Sequence, residues 1–132
     1  MKYVIAIEPG DETHAYGVVI PDLPGCFSAG DTLEEAFSNA KEAAELWLET
    51  TLDDGLSLPQ PSKAEDLMKA NPEFAGWIWS VVDIDVAALS DKAERINITL
   101  PARVLRRLDA IVSKTGETRS GFIARQILSN SL

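Results

Sequence analysis

The chain has 132 residues, a length that fits one domain or one domain with a small module. Its single cysteine, Cys26, excludes an intrachain disulfide, its apolar runs are too short to span a membrane, and Glu8 comes too early for a signal peptide. We therefore expect a soluble cytoplasmic protein with no membrane partner. The net charge of −9, taken for the chain as a whole, disfavours binding to nucleic acid.

The first predicted elements are three strands. Apolar residues occupy both faces of the segment 2–8, and a strand of this kind belongs in the middle of a sheet. The two faces consist of Tyr3, Ile5 and Ile7 and of Val4 and Ala6. A Pro-Gly-Asp turn leads to a second strand at 15–20, and a second turn leads to a short third strand at 26–29.

A long amphipathic helix follows and ends near Leu52. Thr32 and Glu35 have the spacing of a capping box, in which each side chain satisfies a free backbone N–H of the first turn. The apolar side, predicted to pack on the sheet, consists of Leu33, Phe37, Ala40, Ala44, Trp47 and Thr51. The opposite side, predicted to face solvent, carries Glu34, Glu42, Glu45 and Glu49.

A proline-rich loop, with one or two helical turns at 64–70, connects this helix to a strand predicted at 76–85. Trp77 and Trp79 lie on one side of that strand and could stack on bases, but their apolar neighbours favour a place in the core. A turn of helix is expected within 86–93. The order β-β-β-α-β predicts a small antiparallel sheet with a helix across one face.

The stretch Pro21-Asp-Leu-Pro-Gly-Cys-Phe27, preceded by Tyr16-Gly-Val-Val-Ile and followed by Ser-Ala-Gly-Asp-Thr-Leu-Glu-Glu, carries a family resemblance. Residues 1–85 resemble the N-terminal domain of HicB-type antitoxins of type II toxin–antitoxin systems. The resemblance implies a partial RNase H-like fold that binds a small basic RNA-cleaving toxin, HicA, and covers its active site. It also implies a C-terminal module, helix-turn-helix or ribbon-helix-helix, that binds operator DNA and represses the shared operon.

The last third of the chain is predicted to form a strand and two helices. The strand, within 94–101, has Ile96, Ile98 and Leu100 on one face and Arg95, Asn97 and Thr99 on the other. Pro101 suits the first turn of a helix, Gly116 suits the left-handed position that ends it, and Thr118 caps the next helix. So short a segment buries too little apolar surface to fold alone, and a second copy would pair its strand antiparallel to this one.

Such a two-stranded ribbon fits the DNA major groove and would present Arg95, Asn97 and Thr99 of each copy to base edges. Arg-Ile-Asn-Ile-Thr-Leu-Pro, Leu-Arg-Arg-Leu-Asp and Gly-Glu-Thr-Arg-Ser-Gly-Phe-Ile together resemble a ribbon-helix-helix DNA-binding domain. That resemblance implies that the start of the second helix holds a DNA phosphate, since free N–H groups there suit an anion. The residues at that position are Thr118, Arg119 and Ser120.

Charge is divided between the two parts of the chain. Residues 91–132 carry eight Lys and Arg against four Asp and Glu, about +4, whereas the rest carries four against seventeen, about −13. The basic end suits phosphates, and the acidic part suits a basic partner. We therefore predict an α+β antitoxin and autorepressor with a toxin-binding domain (1–85), a linker (86–93) and a ribbon-helix-helix DNA-binding and dimerisation domain (94–132). The ribbon requires at least a homodimer, and a tetramer is left open.

No catalysis, cofactor or metal is predicted. RNase H chemistry needs several carboxylates that converge on metal ions, and the first strand offers only Glu8, at its end. Asp22 lies in a Pro-Gly turn, His14 lies in a turn without a nucleophile beside it, and Cys26 next to Phe27 is typical of a small buried residue. Two alternatives remain: a ligand-sensing ribbon-helix-helix regulator without a toxin partner, and a nuclease.

Overall fold

A computed structural model describes residues 1–89 and 96–130. Its N-terminal unit is built on an antiparallel sheet with the strand order β3-β2-β1-β4. The strands are β1 (Lys2–Glu8), β2 (Tyr16–Val19), β3 (Phe27–Gly30) and β4 (Ile78–Asp83). The five interior residues of β1 are all buried, so the prediction of a central strand with two apolar faces is confirmed.

The strand register divides the sheet into two faces. Ala6 of β1 lies opposite Val19 of β2 on one side and Trp79 of β4 on the other, and Val19 lies opposite Phe27 of β3. These residues form one row across the sheet, because paired residues of antiparallel strands share a face. We call this the outer face; Tyr3, Ile5 and Ile7 point to the inner face.

Helix α1 (Leu33–Asp53) covers the inner face, and the Thr32 half of the predicted capping box is present: Thr32 Oγ1 accepts a hydrogen bond of 3.1 Å from the Glu35 amide. The centre of its packed side differs slightly from the prediction. Its buried residues are Ala36, Ala40, Ala44 and Leu48, while Leu33, Phe37 and Trp47 flank them. The row of alanines matters because it lets the helix backbone approach the sheet closely.

The chain between α1 and β4 is attached to the core by polar contacts. Tyr3 donates a hydrogen bond of 2.6 Å to the Pro59 carbonyl, and Asp22 accepts two of 2.7 Å from the amide and hydroxyl of Ser62. Helix α2 (Ala64–Ala70) and a 3₁₀ turn (Pro72–Phe74) follow. Leu58, just before these contacts in the chain, is buried in the main core.

The two tryptophans are not core residues, so that prediction was wrong. Both are half-buried, and Trp77 precedes β4 instead of belonging to it. Their ring centroids lie 4.4 Å (Trp77) and 6.2 Å (Trp79) from that of Phe74. The aromatic residues thus pack on one another at the surface, where the loop before β4 brings Phe74 beside them.

The C-terminal module contains helices α3 (Ala102–Thr115) and α4 (Arg119–Leu128). Gly116 ends α3 with φ 75°, the left-handed cap predicted for it. Helix α4 packs against a 3₁₀ turn at Val86–Leu89, and the Leu58 amide donates a hydrogen bond of 3.1 Å to the Leu128 carbonyl. Within the described ranges, no helix is long and apolar enough to cross a membrane.

Candidate nucleic-acid interface

The segment before α3 is open to solvent. Asn97 and Thr99 are exposed, as predicted for the polar side of the strand, whereas Arg95 lies outside the described residues. The apolar side is open too: Ile96 is 75% and Ile98 is 59% exposed. Residues 96–100 pair with no strand among the residues that the structure describes, so in a single chain the expected ribbon strand has no ladder.

An apolar groove of about 360 Å³ lies beside this segment. Its walls are Ile98, Leu100, Val104, Arg107, Leu108, Ile111, Phe122 and Ile123. Ile98 and Leu100 contribute to the groove, while Asn97 and Thr99 do not, so the predicted alternation of faces is present. An open groove with walls of this composition is typical of a protein–protein interaction site.

The start of α4 has a closed cap. Thr118 Oγ1 accepts a hydrogen bond of 3.0 Å from the Gly121 amide and lies 3.4 Å from Ser120 Oγ. A Cβ added to Gly121 would lie 2.9 Å from Thr118 Oγ1, so glycine is what permits this close cap. The amides of the first turn have no acceptor within the helix and are the groups that suit an anion.

Arg119, predicted to hold phosphate, is already paired with a carboxylate. Its Nε and Nη2 donate hydrogen bonds of 2.7 and 2.9 Å to the two oxygens of Asp109 on α3. These hydrogen bonds, with the positive charge, hold the pKa of Asp109 below its ordinary value. Sequence reasoning missed this pair because the two residues are ten apart across a turn, a separation that no local rule covers.

A second two-pronged ion pair stabilises the turn between α3 and α4. Arg125 donates hydrogen bonds of 3.0 Å from Nε and from Nη2 to the carboxylate of Glu117. Hydrogen bonding from Arg125 lowers the pKa of Glu117, and the guanidinium lies 5.2 Å from the centre of the Phe122 ring. The first pair joins α4 directly to α3, and the second joins α4 to the turn between the two helices.

The cap of α4 also faces the N-terminal unit across a groove of about 500 Å³. Thr118 and Gly121 lie on one side of this groove, and Lys41, Asp83 and Asp85 lie on the other. The field at the cap is therefore mixed: helix amides, one lysine and the terminal amino group attract an anion, while three carboxylates, including that of Glu117, repel it.

The structure places His14, Asp22 and Cys26, for which the sequence predicts no catalytic role, in three different environments. His14 is exposed, with Nδ1 3.0 Å from Asp11 Oδ1, and Asp22 is occupied by Ser62. Cys26 is buried, which raises the pKa of its thiol. In the part of the chain that the structure covers, no group of three or more His, Cys, Asp or Glu side chains could hold a metal ion.

Comparison with known proteins assigns the chain to a family. A family model described as HicB-like antitoxin of bacterial toxin–antitoxin system matches residues 3–127. The match places the molecule among the bacterial antitoxins. The chain belongs to the HicB-like antitoxin family.

Individual relatives match over nearly the whole chain or over about two thirds of it. A protein from the rep–hol intergenic region of Haemophilus phage HP1 is 44% identical over 134 residues, covering 100% of this chain and 98% of that protein. The crystal structure of antitoxin HicB from Burkholderia pseudomallei is 41% identical, with a TM-score of 0.83 over 97% of this chain and 96% of that chain. A chain of the HicA3 and HicB3 toxin–antitoxin complex is 32% identical, with a TM-score of 0.52 over 64% of this chain and 99% of that chain.

Proposed function

We propose that this antitoxin binds and neutralises a small basic RNA-cleaving toxin of the HicA type and represses its own operon by binding operator DNA. The division of labour follows the predicted domains: residues 1–85 bind the toxin, 86–93 link, and 94–132 bind DNA as a ribbon-helix-helix. The observation that carries the proposal is the similarity to antitoxin HicB along nearly the whole chain. The acidic N-terminal unit adds a physical reason, since it would attract a basic partner and speed its association.

The DNA-binding half of the proposal depends on a second copy of the chain. The apolar groove beside Ile98 and Leu100 has the composition that a paired ribbon from a partner copy would cover. In that dimer Arg95, Asn97 and Thr99 would reach base edges in the major groove. Thr118, Arg119 and Ser120 would hold a phosphate at the start of α4. To do so, the Arg119 guanidinium would donate to the phosphate either in place of Asp109 or in addition to it. A tetramer through the N-terminal units is compatible with this arrangement.

We further propose that the N-terminal unit is an RNase H-like fold without catalytic activity. The chemistry of that fold needs carboxylates that converge on a metal ion. Of the acids near the sheet, Asp22 accepts hydrogen bonds from Ser62, Glu8 stands at the end of β1, and Asp83 stands at the end of β4. An RNA-cleavage assay with added Mg²⁺ or Mn²⁺ tests this: cleavage by the purified chain would contradict the proposal.

The first test is a pull-down of the tagged chain from its native cells, followed by mass analysis. A stoichiometric basic protein of fewer than about one hundred residues is expected. That protein should cleave RNA alone and should lose the activity when this chain is added. Recovery of DNA without any such protein would instead support the ligand-sensing regulator.

The second test separates base reading from phosphate binding. Asn97→Ala should weaken binding to the operator by about 1–3 kcal/mol, because one bidentate contact to adenine is lost, and should leave toxin neutralisation intact. Ser113→Ala, at an exposed position late in α3, is the matched control and should bind normally. Full-strength operator binding by Asn97→Ala would rule out base reading at this position.

A further inference from the structure

The outward side of α1 combines acidic residues with one exposed leucine. Five residues lie on the side of the helix opposite the buried alanines, because they follow one another at intervals of seven, four, three and four positions. These residues, which we call the acidic stripe, are Glu35, Glu42, Leu46, Glu49 and Asp53. The stripe is about 27 Å long, since its ends are 18 residue steps apart along the helix at about 1.5 Å a step. Leu46 is 65% exposed and lies one turn from Glu42 and one turn from Glu49.

The charges of the stripe are not balanced inside the molecule. Among the described residues, no ion pair joins any of its carboxylates to a lysine or arginine. Glu49 and Asp53 are four residues apart, and like charges at this spacing disfavour a helix. Asp53 lies in the last turn, which contains no basic residue, although the negative end of the helix dipole disfavours an acid there.

We propose that the acidic stripe of α1, centred on Leu46, is the docking surface for the basic toxin. The inference rests on the proposed function, because the toxin is the occupant. Charge selects it: nucleic acid and anionic membrane surfaces would be repelled by four clustered carboxylates, whereas a basic protein surface is attracted. Protein interfaces commonly have an apolar centre within a polar rim, and Leu46 among the carboxylates has this arrangement. Burial of Leu46 would contribute affinity, and the carboxylates would attract the toxin during association.

The outer face of the sheet is the competing surface. Phe27 is 68% and Val81 is 48% exposed there, so this face also presents apolar area to solvent. Its acids, Glu8 and Asp83, stand at separate ends of β1 and β4, and Asp83 lies opposite Lys2, so this face has no row of carboxylates comparable to the stripe. Charge complementarity therefore favours the stripe, and variants of the two surfaces distinguish them.

The test uses the full chain and the small basic protein encoded next to its gene, with affinity measured by calorimetry or biolayer interferometry. Glu49→Lys should weaken binding by at least about tenfold, because attraction becomes repulsion. Its control is Glu73→Lys, an equal charge change at an exposed position away from α1 and next to Phe74, whose ring lies 6.2 Å from that of Trp79; this variant should bind within about twofold.

The apolar centre is tested by a second pair of variants. Leu46→Ser should weaken toxin binding by about tenfold, as expected when the buried centre of an interface is truncated. Phe27→Ser, an equally exposed apolar position on the outer face, should bind the toxin like the wild type. A melting curve for each variant establishes that it is folded.

A stability readout separates a docking role from a structural one. Asp53→Lys should raise the melting temperature by about 1–5 °C, since a cation suits the end of the helix, while it weakens toxin binding. If Asp53 served only to stabilise the fold, its replacement by lysine would lower the melting temperature.

Each other outcome has a definite meaning. Normal toxin binding by Glu49→Lys and Leu46→Ser, with loss of binding in Phe27→Ser, would overturn the inference and assign docking to the outer face. A changed molecular mass of the toxin-free chain in the stripe variants would make a second copy the occupant. A wild-type chain that does not bind the neighbouring basic protein would defeat the proposed function itself, a result that is visible before any variant is made.

Discussion

Tyr3 connects the central strand to the loop that follows α1. Its side chain is fully buried, and its hydroxyl donates to the Pro59 carbonyl. Burial, aided by the negative charge of Asp22, raises the pKa of Tyr3 to about 12. In the unfolded chain the pKa is near 10, so the folded state favours the neutral phenol. Its contribution to stability is complete below about pH 10 and is lost as the pH rises through the folded value.

Replacement of Tyr3 by Phe should therefore change how stability depends on alkaline pH. At pH 8 the variant should be less stable by about 0.5–1.5 kcal/mol, because the hydrogen bond to Pro59 is lost. Between about pH 10 and 12 the wild type should lose additional stability that the variant does not lose. Urea unfolding of both proteins at pH 8 and pH 11 measures this. An equal loss in the two proteins would contradict the assignment.

Gly30, at the end of β3, permits the close approach of α1. A Cβ at this position would lie against the Ala36 nitrogen and 2.8 Å from its Cα, and backbone cannot move aside cheaply. Gly30→Ala should therefore lower the free energy of unfolding by about 1–3 kcal/mol or more. Gly17→Ala is the control, because its Cβ would meet only the Glu8 side chain, at 3.6 Å. Chemical denaturation of both variants checks the difference; equal stabilities would contradict the close-packing argument.

At the scale of residues, what could be predicted was local. Thr32, Gly116 and Thr118 occupy the caps expected for them, because a cap depends on residues three or four positions away. The bidentate pair of Arg119 with Asp109 could not be predicted, since it forms only when α4 folds back against α3. The close approach of Gly30 to Ala36 could not be predicted either, since it forms only when α1 packs on the sheet.

At the scale of elements, sequence patterns predicted every helix and strand of the N-terminal unit but misplaced some ends. The last strand begins at Ile78 instead of residue 76, and the two tryptophans before and within it pack on Phe74 at the surface. Periodicity places a residue on a face, but it cannot say whether a loop will cover that face. The segment 96–100 has the alternation of a strand, yet a ladder requires a neighbouring strand, and the described part of a single chain supplies none for it.

The proposed ribbon makes dimerisation depend on Ile98. Ile98→Asp should keep the chain monomeric, because a charge would then face the apolar groove that a second copy is proposed to cover. Asn97→Asp adds the same charge one residue away on the polar face and should still dimerise. Light scattering during gel filtration reports the mass of each. A dimer of Ile98→Asp with the wild-type mass would rule out the ribbon as the dimer contact.

At the scale of the whole molecule, the charge asymmetry in the sequence suggested two parts with different partners. The packing of those parts on each other was not predictable. Leu128 at the end of α4 packs on the main core and its carbonyl accepts from Leu58, two residues seventy positions apart. The sequence pattern of a helix does not predict that its last turn will contact a distant loop, because such contacts depend on the tertiary fold.

The packing of α4 on the N-terminal unit leads to a prediction about a truncated chain. A fragment that ends at Ala93 keeps the sheet, α1, α2 and nearly all of the buried core. It loses the contact of Leu128 with the core and the hydrogen bond from Leu58. The fragment should remain folded, with a free energy of unfolding lower by about 1–3 kcal/mol than that of the N-terminal unit in the full chain. It should neutralise the toxin and fail to bind operator DNA.

Urea denaturation followed by tryptophan fluorescence isolates the N-terminal unit, because Trp47, Trp77 and Trp79 are the only tryptophans and all lie in it. Leu128→Ala in the full chain is the matched control: it should reproduce part of the loss in stability while operator binding persists. A folded fragment that cannot neutralise the toxin would mean that α3 or α4 contributes to docking, which contradicts the proposed division of labour. If the fragment is instead unfolded, α4 is part of the core of the N-terminal unit, and the chain folds as one cooperative domain whose DNA-binding surface cannot be separated from its toxin-binding surface.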